Sequence, residues 1–238
     1  MKNTTLFPLV LVDVALFSIV EDRLRVLLVQ RAQGPEHHRW ALPGGILKPE
    51  IDANLECTAR RVMRSKVSVE IPHLEQVQTF SGPNRDPRRW SVSLLYWALL
   101  PYDQVNALVK AKVENLDWFD AANPSQQMAF DHHAQLAAAL QILRNRIQVT
   151  APALPLHLLP EKFTLTELQK TCEAILGKPI DKASFRRRLK KEIPDCVALK
   201  DEIQRGAHAP AQLYRARDGF TFNLYGLIPR PLGRYSDV

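Results

Sequence analysis

Cysteine is scarce in this 238-residue chain, and Cys57, Cys172 and Cys196 lie far apart with no CxxC spacing. An odd, sparse set excludes a disulfide framework and a zinc site, and suits a reducing cytoplasm. Long apolar runs are missing as well: no stretch approaches the roughly 18 apolar residues that make a membrane span. The early run Val10-Leu11-Val12-Asp13-Val14 is short, broken by Asp13 and followed by no small-residue cleavage site. It reads as a β-strand rather than a signal peptide. Internal repeats and low-complexity segments are absent too.

What is present is a globular balance, 46% hydrophobic and 24% charged residues. The length suits one large domain or two modest ones. The formal net charge of +7 is a mild basic excess that fits nucleic-acid binding without establishing it, so its location matters more than its total.

From Leu11 to about Leu143 the pattern is mixed α/β. Val10–Val20 and Arg23–Gln30 are β-rich and separated by the turn signal Glu21-Asp22. The periodicity predicts a helix over Asp52–Arg64, with Leu55, Ala59, Val62 and Met63 on one face. Strands are expected at Glu75–Phe80 and Trp90–Leu100, the second apolar nearly throughout and therefore central in a sheet. A second helix is expected over Asp131–Arg146. His132 and His133 fall in its first turn, but adjacent helical residues diverge, so exposure or capping is expected in preference to a metal pair. Three prolines at 152, 155 and 160 exclude a helix interior or central strand. They set the boundaries: 1–148 as one domain, 149–160 as linker, 161–238 as a smaller domain.

In that smaller domain Thr164-Leu165-Thr166-Glu167 is a capping box, and its helix runs to Gly177, a natural C′ residue. Asp181 caps a second helix through about Lys191, before Pro194. Strand-like stretches follow around Val197–Leu199 and Ala211–Arg215, joined by a basic loop. This is the order of a winged helix-turn-helix. On the second helix Phe185 and Leu189, with Ser184 beside them, face inward, while Lys182, Arg186, Arg187 and Lys190 face outward. A solvated basic face is the plain reading of such a run. Its coincidence with the second helix, and with wing cations Arg205 and Arg215, points to DNA.

Two family resemblances extend these readings. Trp40-Ala41-Leu42-Pro43-Gly44-Gly45, followed by a helix with Ala59-Arg60-Arg61, resembles the Nudix hydrolases, whose box reads G-x5-E-x7-R-E-U-x-E-E-x-G-U (U, bulky aliphatic). Val26–Arg31, Arg85-Asp86-Pro87-Arg88 and Met128-Ala129-Phe130-Asp131-His132 resemble segments of ADP-ribose-type members, so the likeness covers about residues 8–146. The resemblance implies a Nudix-fold α/β/α sandwich with a mixed sheet. In the family the box glutamates hold magnesium or manganese against a diphosphate. Aligning Arg61 on the box arginine puts Val62, Ser65 and Lys66 where the helix glutamates belong, with Ile51 at the loop glutamate and Glu50 beside it. Magnesium sites need carboxylates, so no catalytic residue, metal or cofactor is expected. The alternative is an active hydrolase of ADP-ribose or another nucleoside diphosphate derivative with an accessory C-terminal domain.

A basic lining for an anionic ligand is read in Arg31, Arg39, Arg60, Arg64, Arg85 and Arg88, with Trp40 to stack. Each has a plain reading beside it: surface charge for the arginines, a solvated turn for Arg85–Arg88, a core or edge aromatic for Trp40. Lys66 at a former metal position would neutralise a diphosphate without metal. The C-terminal half, through Phe163–Gln169, Gly177–Lys182, Phe185-Arg186-Arg187 and Tyr214-Arg215, resembles the winged helix of the Nudix-related transcriptional regulators of NrtR type. That resemblance implies a cytoplasmic, repressor-like homodimer whose partners are a double-stranded DNA operator and an ADP-ribose-like phosphorylated metabolite, away from membranes.

Overall fold

The computed structural model describes residues 7–109, 116–149, 154–192, 196–204 and 210–216. The chain divides into two compact units, Met1–Leu143 and Arg144–Val238.

In the first unit, β1 (Leu9–Val20) and β2 (Arg23–Gln30) form an antiparallel hairpin. Both turn residues, Glu21 and Asp22, have positive φ (51° and 59°), as a two-residue turn matched to strand twist requires. The sheet runs β3 (Trp40–Ala41), β2, β1, β6 (Ser91–Leu99), β5 (Leu74–Gly82). β4 (Gly44–Ile46) adds to β1 and β7 (Leu116–Asp120) to β2. β1 and β6 pair in parallel and the other pairs are antiparallel, so the sheet is mixed. β6 lies between β1 and β5, which explains why its apolar residues do not alternate with polar ones.

β1 carries the two-faced logic of the unit. Val12, Val14 and Leu16 pack with Ala59, Met63 and Val67 of α1 (Leu55–Val67), and Val105 of α2 (Tyr102–Val109) joins that cluster. Asp13 points to the opposite face by the strand's period of two, and there Gln135 of α3 (His132–Val149) donates to it at 3.2 Å. Helices therefore cover both faces, giving the expected α/β/α sandwich.

The helix expected from Asp52 starts three residues later. Asn54 is its N-cap, accepting from the Cys57 amide at 2.8 Å, and Ser68 ends it in the left-handed conformation (φ 60°). Asp52 is withheld because its carboxylate is bound elsewhere, to the Lys48 amide, Thr58 Oγ1 and Arg61. His132 also departs from expectation. It is buried rather than exposed, whereas His133 is exposed.

In the second unit, residues 149–160 hold more than a connector. Leu154–Leu158 form a 3-10 turn that buries Leu154, Pro155 and Leu158 and packs on α4 (Leu165–Leu176). Three apolar side chains there outweigh the extended bias of the prolines, which a first helical turn tolerates. The Thr164 capping box forms as read, and Gly177 closes α4 with φ 69°. α5 (Lys182–Glu192) follows, capped by Asp181 accepting from the Ser184 amide at 2.8 Å. β8 (Phe163–Thr164), β10 (Ala211–Ala216) and β9 (Cys196–Gln204) make a small antiparallel sheet, with β10 between the others. Phe163, Leu168, Cys172, Ile175, Phe185 and Leu189 are all buried in this unit.

Candidate functional site

A cavity of about 590 Å³ opens in the first unit between the end of β2, the β3–β4 turn, one side of α1 and the 85–88 loop. Its frame is Leu42-Pro43-Gly44-Gly45. The Leu42 amide donates to His132 Nδ1 at 2.9 Å, and the Pro43 carbonyl accepts from the Val14 amide at 2.9 Å. Because Nδ1 accepts, the His132 proton sits on Nε2, which faces Asp13 Oδ1 at 3.7 Å. Burial holds the imidazole below its ordinary pKa, against the opposing pull of Asp13 and Asp131. Ser93 and Gln135 donate to Asp13 Oδ2. Gly44 lies so close that a Cβ there would stand 1.9 Å from Asp13 Oδ1, so the position has room only for glycine.

Three of the six lysines and arginines that line the cavity are held by carboxylates, and Lys48, which is not, is exposed. Arg61 forks onto Asp52 with two contacts of 2.7 Å, Arg85 onto Asp131 at 2.9 Å, and Arg88 onto Asp86 at 2.6 and 2.9 Å. The Arg61 fork holds the Asp52 carboxyl far below its usual range. Burial alone would raise Asp86 and Asp131, but hydrogen bonds from Arg88 and Arg85 keep both lowered. Arg31 and Lys66 are different. Arg31 stacks 4.7 Å over the Phe130 ring and donates through Nε to the Pro35 carbonyl at 3.0 Å. Lys66 makes no ion pair among the described residues. Partial desolvation lowers both, reinforced by Arg88 beside Arg31 and by Arg31 beside Lys66, although Lys66 still reaches solvent.

Of the ligand residues expected from sequence, Arg31, Lys66, Arg85 and Arg88 line this cavity. Arg39, Trp40, Arg60 and Arg64 do not. The α1 positions facing it are 61, 62, 65 and 66; at 100° per residue, Arg60 and Arg64 turn away. They pair instead with Glu56 at 2.7 Å and Glu70 at 3.0 Å, and Arg39 pairs with Glu36 at 2.7 Å. The Trp40 ring packs edge-on to Phe119 with centroids 4.7 Å apart. Sequence reasoning missed Asp13, Phe130 and His132. A buried aspartate amid an apolar strand was the signal available for the first.

In the second unit, Gln169 and Glu173 fix the turn between α4 and α5. Gln169 Nε2 donates to the Ile180 carbonyl at 3.1 Å, and Glu173 Oε1 accepts from the Ile180 amide at 2.9 Å. α5 thus presents a set face. Lys182 and Arg187 are exposed on it. Arg186, expected outward, is half-buried and donates to Thr166 Oγ1 at 2.9 Å; the α4 N-terminus and Tyr214 crowd it. Arg215 is exposed, 3.5 Å from Glu161. The Lys190 side chain and Arg205 lie outside the described residues.

Residues 10–140 match the NUDIX domain family, and residues 155–216 match the NrtR DNA-binding winged helix domain. Over 226 residues the chain is 38% identical to the ADPR responsive transcriptional repressor NtrR of Acinetobacter baylyi, covering 94% of this chain and 88% of that protein. The chain belongs to the NrtR-type family of Nudix-related transcriptional regulators. Shewanella oneidensis NrtR, crystallised with a 27mer DNA, superposes with a TM-score of 0.80 at 33% identity, covering 91% of this chain and 98% of that one. The NUDIX domain of that protein, crystallised with ADP ribose, superposes at 0.53 and 34% identity, covering 60% of this chain and 93% of that one. No helix among the described residues is long and apolar enough to cross a membrane.

The divalent metal of Nudix hydrolases does not fit this NrtR-type cavity. Val62, Ser65 and Lys66 stand on the α1 face that lines it: one buried and apolar, one donating its hydroxyl to the Val62 carbonyl, one cationic. Hard divalent cations need several oxygen ligands, chiefly carboxylates. Among the described residues no group of three or more His, Cys, Asp or Glu is arranged to hold a metal. The two acids that line the cavity are engaged, Asp13 by Ser93 and Gln135 and Asp86 by Arg88, and Asp52 beside them is held by Arg61.

Proposed function

We propose that this chain is a DNA-binding repressor whose Nudix domain senses ADP-ribose, or a closely related phosphorylated nucleotide or sugar, without hydrolysing it. The observation that carries the reading is the α1 face on the cavity, which offers Val62, Ser65 and Lys66 and no acid. A cleft rich in arginine and lysine suits diphosphate oxygens, while hydrolysis needs a divalent metal that this lining does not fit. The relatives' names agree: one is ADP-ribose responsive, and one was crystallised both with DNA and, as its Nudix domain, with ADP ribose.

The winged helix supplies the output. Lys182 and Arg187 on α5 hold phosphate and read base edges, Arg186 is pre-set by Thr166, and Arg215 extends contact from the wing; Lys190 and Arg205 are assigned to DNA from the sequence alone. The protein acts in the cytoplasm as a homodimer on a near-palindromic operator, because two-fold protein symmetry is mirrored by the site. Ligand acts only through differential affinity for the DNA-bound and free states, and repression that responds to ADP-ribose implies release.

Footprinting on the promoter beside the protein's own gene tests this. Two protected half-sites about one or two helical turns apart, roughly 34 Å per turn, are expected, fading as ADP-ribose is added. Absent protection at any ligand concentration, or an Arg186/Arg187 double alanine variant that protects as well as wild type, overturns the assignment.

A further inference from the structure

We propose that Arg31 and Lys66 form a metal-free clamp for a diphosphate, one cation for each phosphate, reaching it from the β2 and α1 sides of the Nudix cavity. The proposal rests on the effector reading above and goes beyond it by assigning the anchor residues and the mode of charge neutralisation.

Arg61, Arg85 and Arg88 each face the cavity but are held by a carboxylate through two hydrogen bonds. A guanidinium so engaged has surrendered its fork and its charge is offset. Arg31, Lys48 and Lys66 line the same cavity with no carboxylate bound among the described residues; Lys48 is exposed on the segment before α1, whereas Lys66 stands on the α1 face that lines the cavity. Arg31 is also oriented in advance. The Phe130 ring supports its guanidinium from below, and Pro35 takes the Nε hydrogen, leaving the terminal nitrogens for a ligand. Phe130 adopts φ 52° to present that ring, a conformation bulky residues avoid unless the surroundings impose it. A pre-set donor loses less freedom on binding than a free arginine would.

Lys66 completes the pair from α1. It occupies the helix face on which a hydrolase would display a glutamate, and its positive charge repels a divalent ion there. The two cations also repel one another, and partial desolvation adds to the cost of holding both charged side by side. An ester-linked diphosphate carries two negative charges, one on each phosphorus group, and relieves both costs. A carboxylate or a single phosphodiester carries one and relieves half.

Calorimetry on the full chain in EDTA, with ADP-ribose and with inorganic pyrophosphate as probes, tests the clamp. Wild type is expected to bind both, and ADP-ribose equally well with magnesium in place of EDTA. Lys66→Met and Arg31→Met are each expected to weaken both probes by about 10- to 100-fold, the range for losing a charge-assisted contact. Lys66→Arg should recover most of the affinity. Lys66→Gln serves in place of Lys66→Met if the latter melts early. ADP-ribose bound equally by wild type and both variants overturns the clamp but leaves the effector reading standing. Pyrophosphate bound through both residues while ADP-ribose is refused keeps the clamp and overturns the effector reading. Binding that vanishes in EDTA, or no binding of either probe to wild type, overturns the clamp.

Discussion

Replacing Gly44 with alanine tests the frame of the cavity at one atom. The added Cβ would stand 1.9 Å from Asp13 Oδ1 and 3.0 Å from the Val12 carbonyl. The carboxylate oxygen must retreat by about 1.5 Å to reach ordinary van der Waals separation. It has nowhere to go without breaking contacts, since Oδ2 is held by Ser93 and Gln135 and Oδ1 faces His132. Overpacking a core costs about 1–3 kcal/mol, and disturbing a hydrogen bond to a charged group about 1.5–3 more. Gly44→Ala should therefore destabilise by about 2.5–6 kcal/mol. Urea unfolding followed by fluorescence, with the slope held constant, reads this directly. At Gly45 the added methyl meets a Val62 methyl at 2.8 Å, and Gly45→Ala should cost about 1–3 kcal/mol without touching the polar network. The double-mutant cycle with Asp13→Ala decides the cause. If the clash is the cause, alanine at 44 becomes much cheaper once Asp13 is gone, a coupling of about 1–3 kcal/mol. Additive costs, or an unshifted midpoint for Gly44→Ala, would refute the reasoning.

Three further outcomes are expected. His132→Leu leaves the buried Leu42 amide without its acceptor and should cost about 1–3 kcal/mol at pH 8. Because burial lowers the His132 pKa in the folded chain, the unfolded chain binds more protons as pH falls below about 6.5, so wild-type stability declines there and the leucine variant should decline less steeply; identical slopes contradict the buried neutral tautomer. Arg187→Ala should weaken operator binding by about 1–3 kcal/mol and relax specificity at one base pair, read by competition with single-base operator variants. Finally, purified protein should release no AMP from ADP-ribose with magnesium or manganese in a chromatographic assay; turnover that survives repurification and disappears with Lys66→Met would reverse that expectation.

The sequence carried the architecture well, because both units depend on local signals. The Thr164 capping box, the Glu21-Asp22 turn and the unbroken apolar run of β6 need no tertiary information to be recognised. The site was half legible. Arg31, Lys66, Arg85 and Arg88 were readable as cations near a known motif, but which cations of α1 turn to the cavity depends on a helix phase that composition does not give. Arg60 and Arg64 look equivalent to Arg61 in sequence and differ only by rotation about the helix axis. The pairing of His132 with Asp13 was illegible for another reason. They meet across 119 positions through the packing of α3 on β1, and a histidine in a first helical turn resembles a surface residue until that packing is known. Arg186 was misjudged outward because Thr166, its acceptor, lies on the preceding helix.

The central claim is that ADP-ribose moves this protein off DNA without being consumed. Fluorescence anisotropy of labelled promoter DNA, titrated with the full chain and then with ADP-ribose in EDTA, measures both halves when the nucleotide is recovered by chromatography. The account predicts a salt-sensitive complex that dissociates as ADP-ribose is added, with the ADP-ribose returned intact even after magnesium is restored. A complex indifferent to ADP-ribose, or ADP-ribose returned as AMP and ribose 5-phosphate, contradicts it.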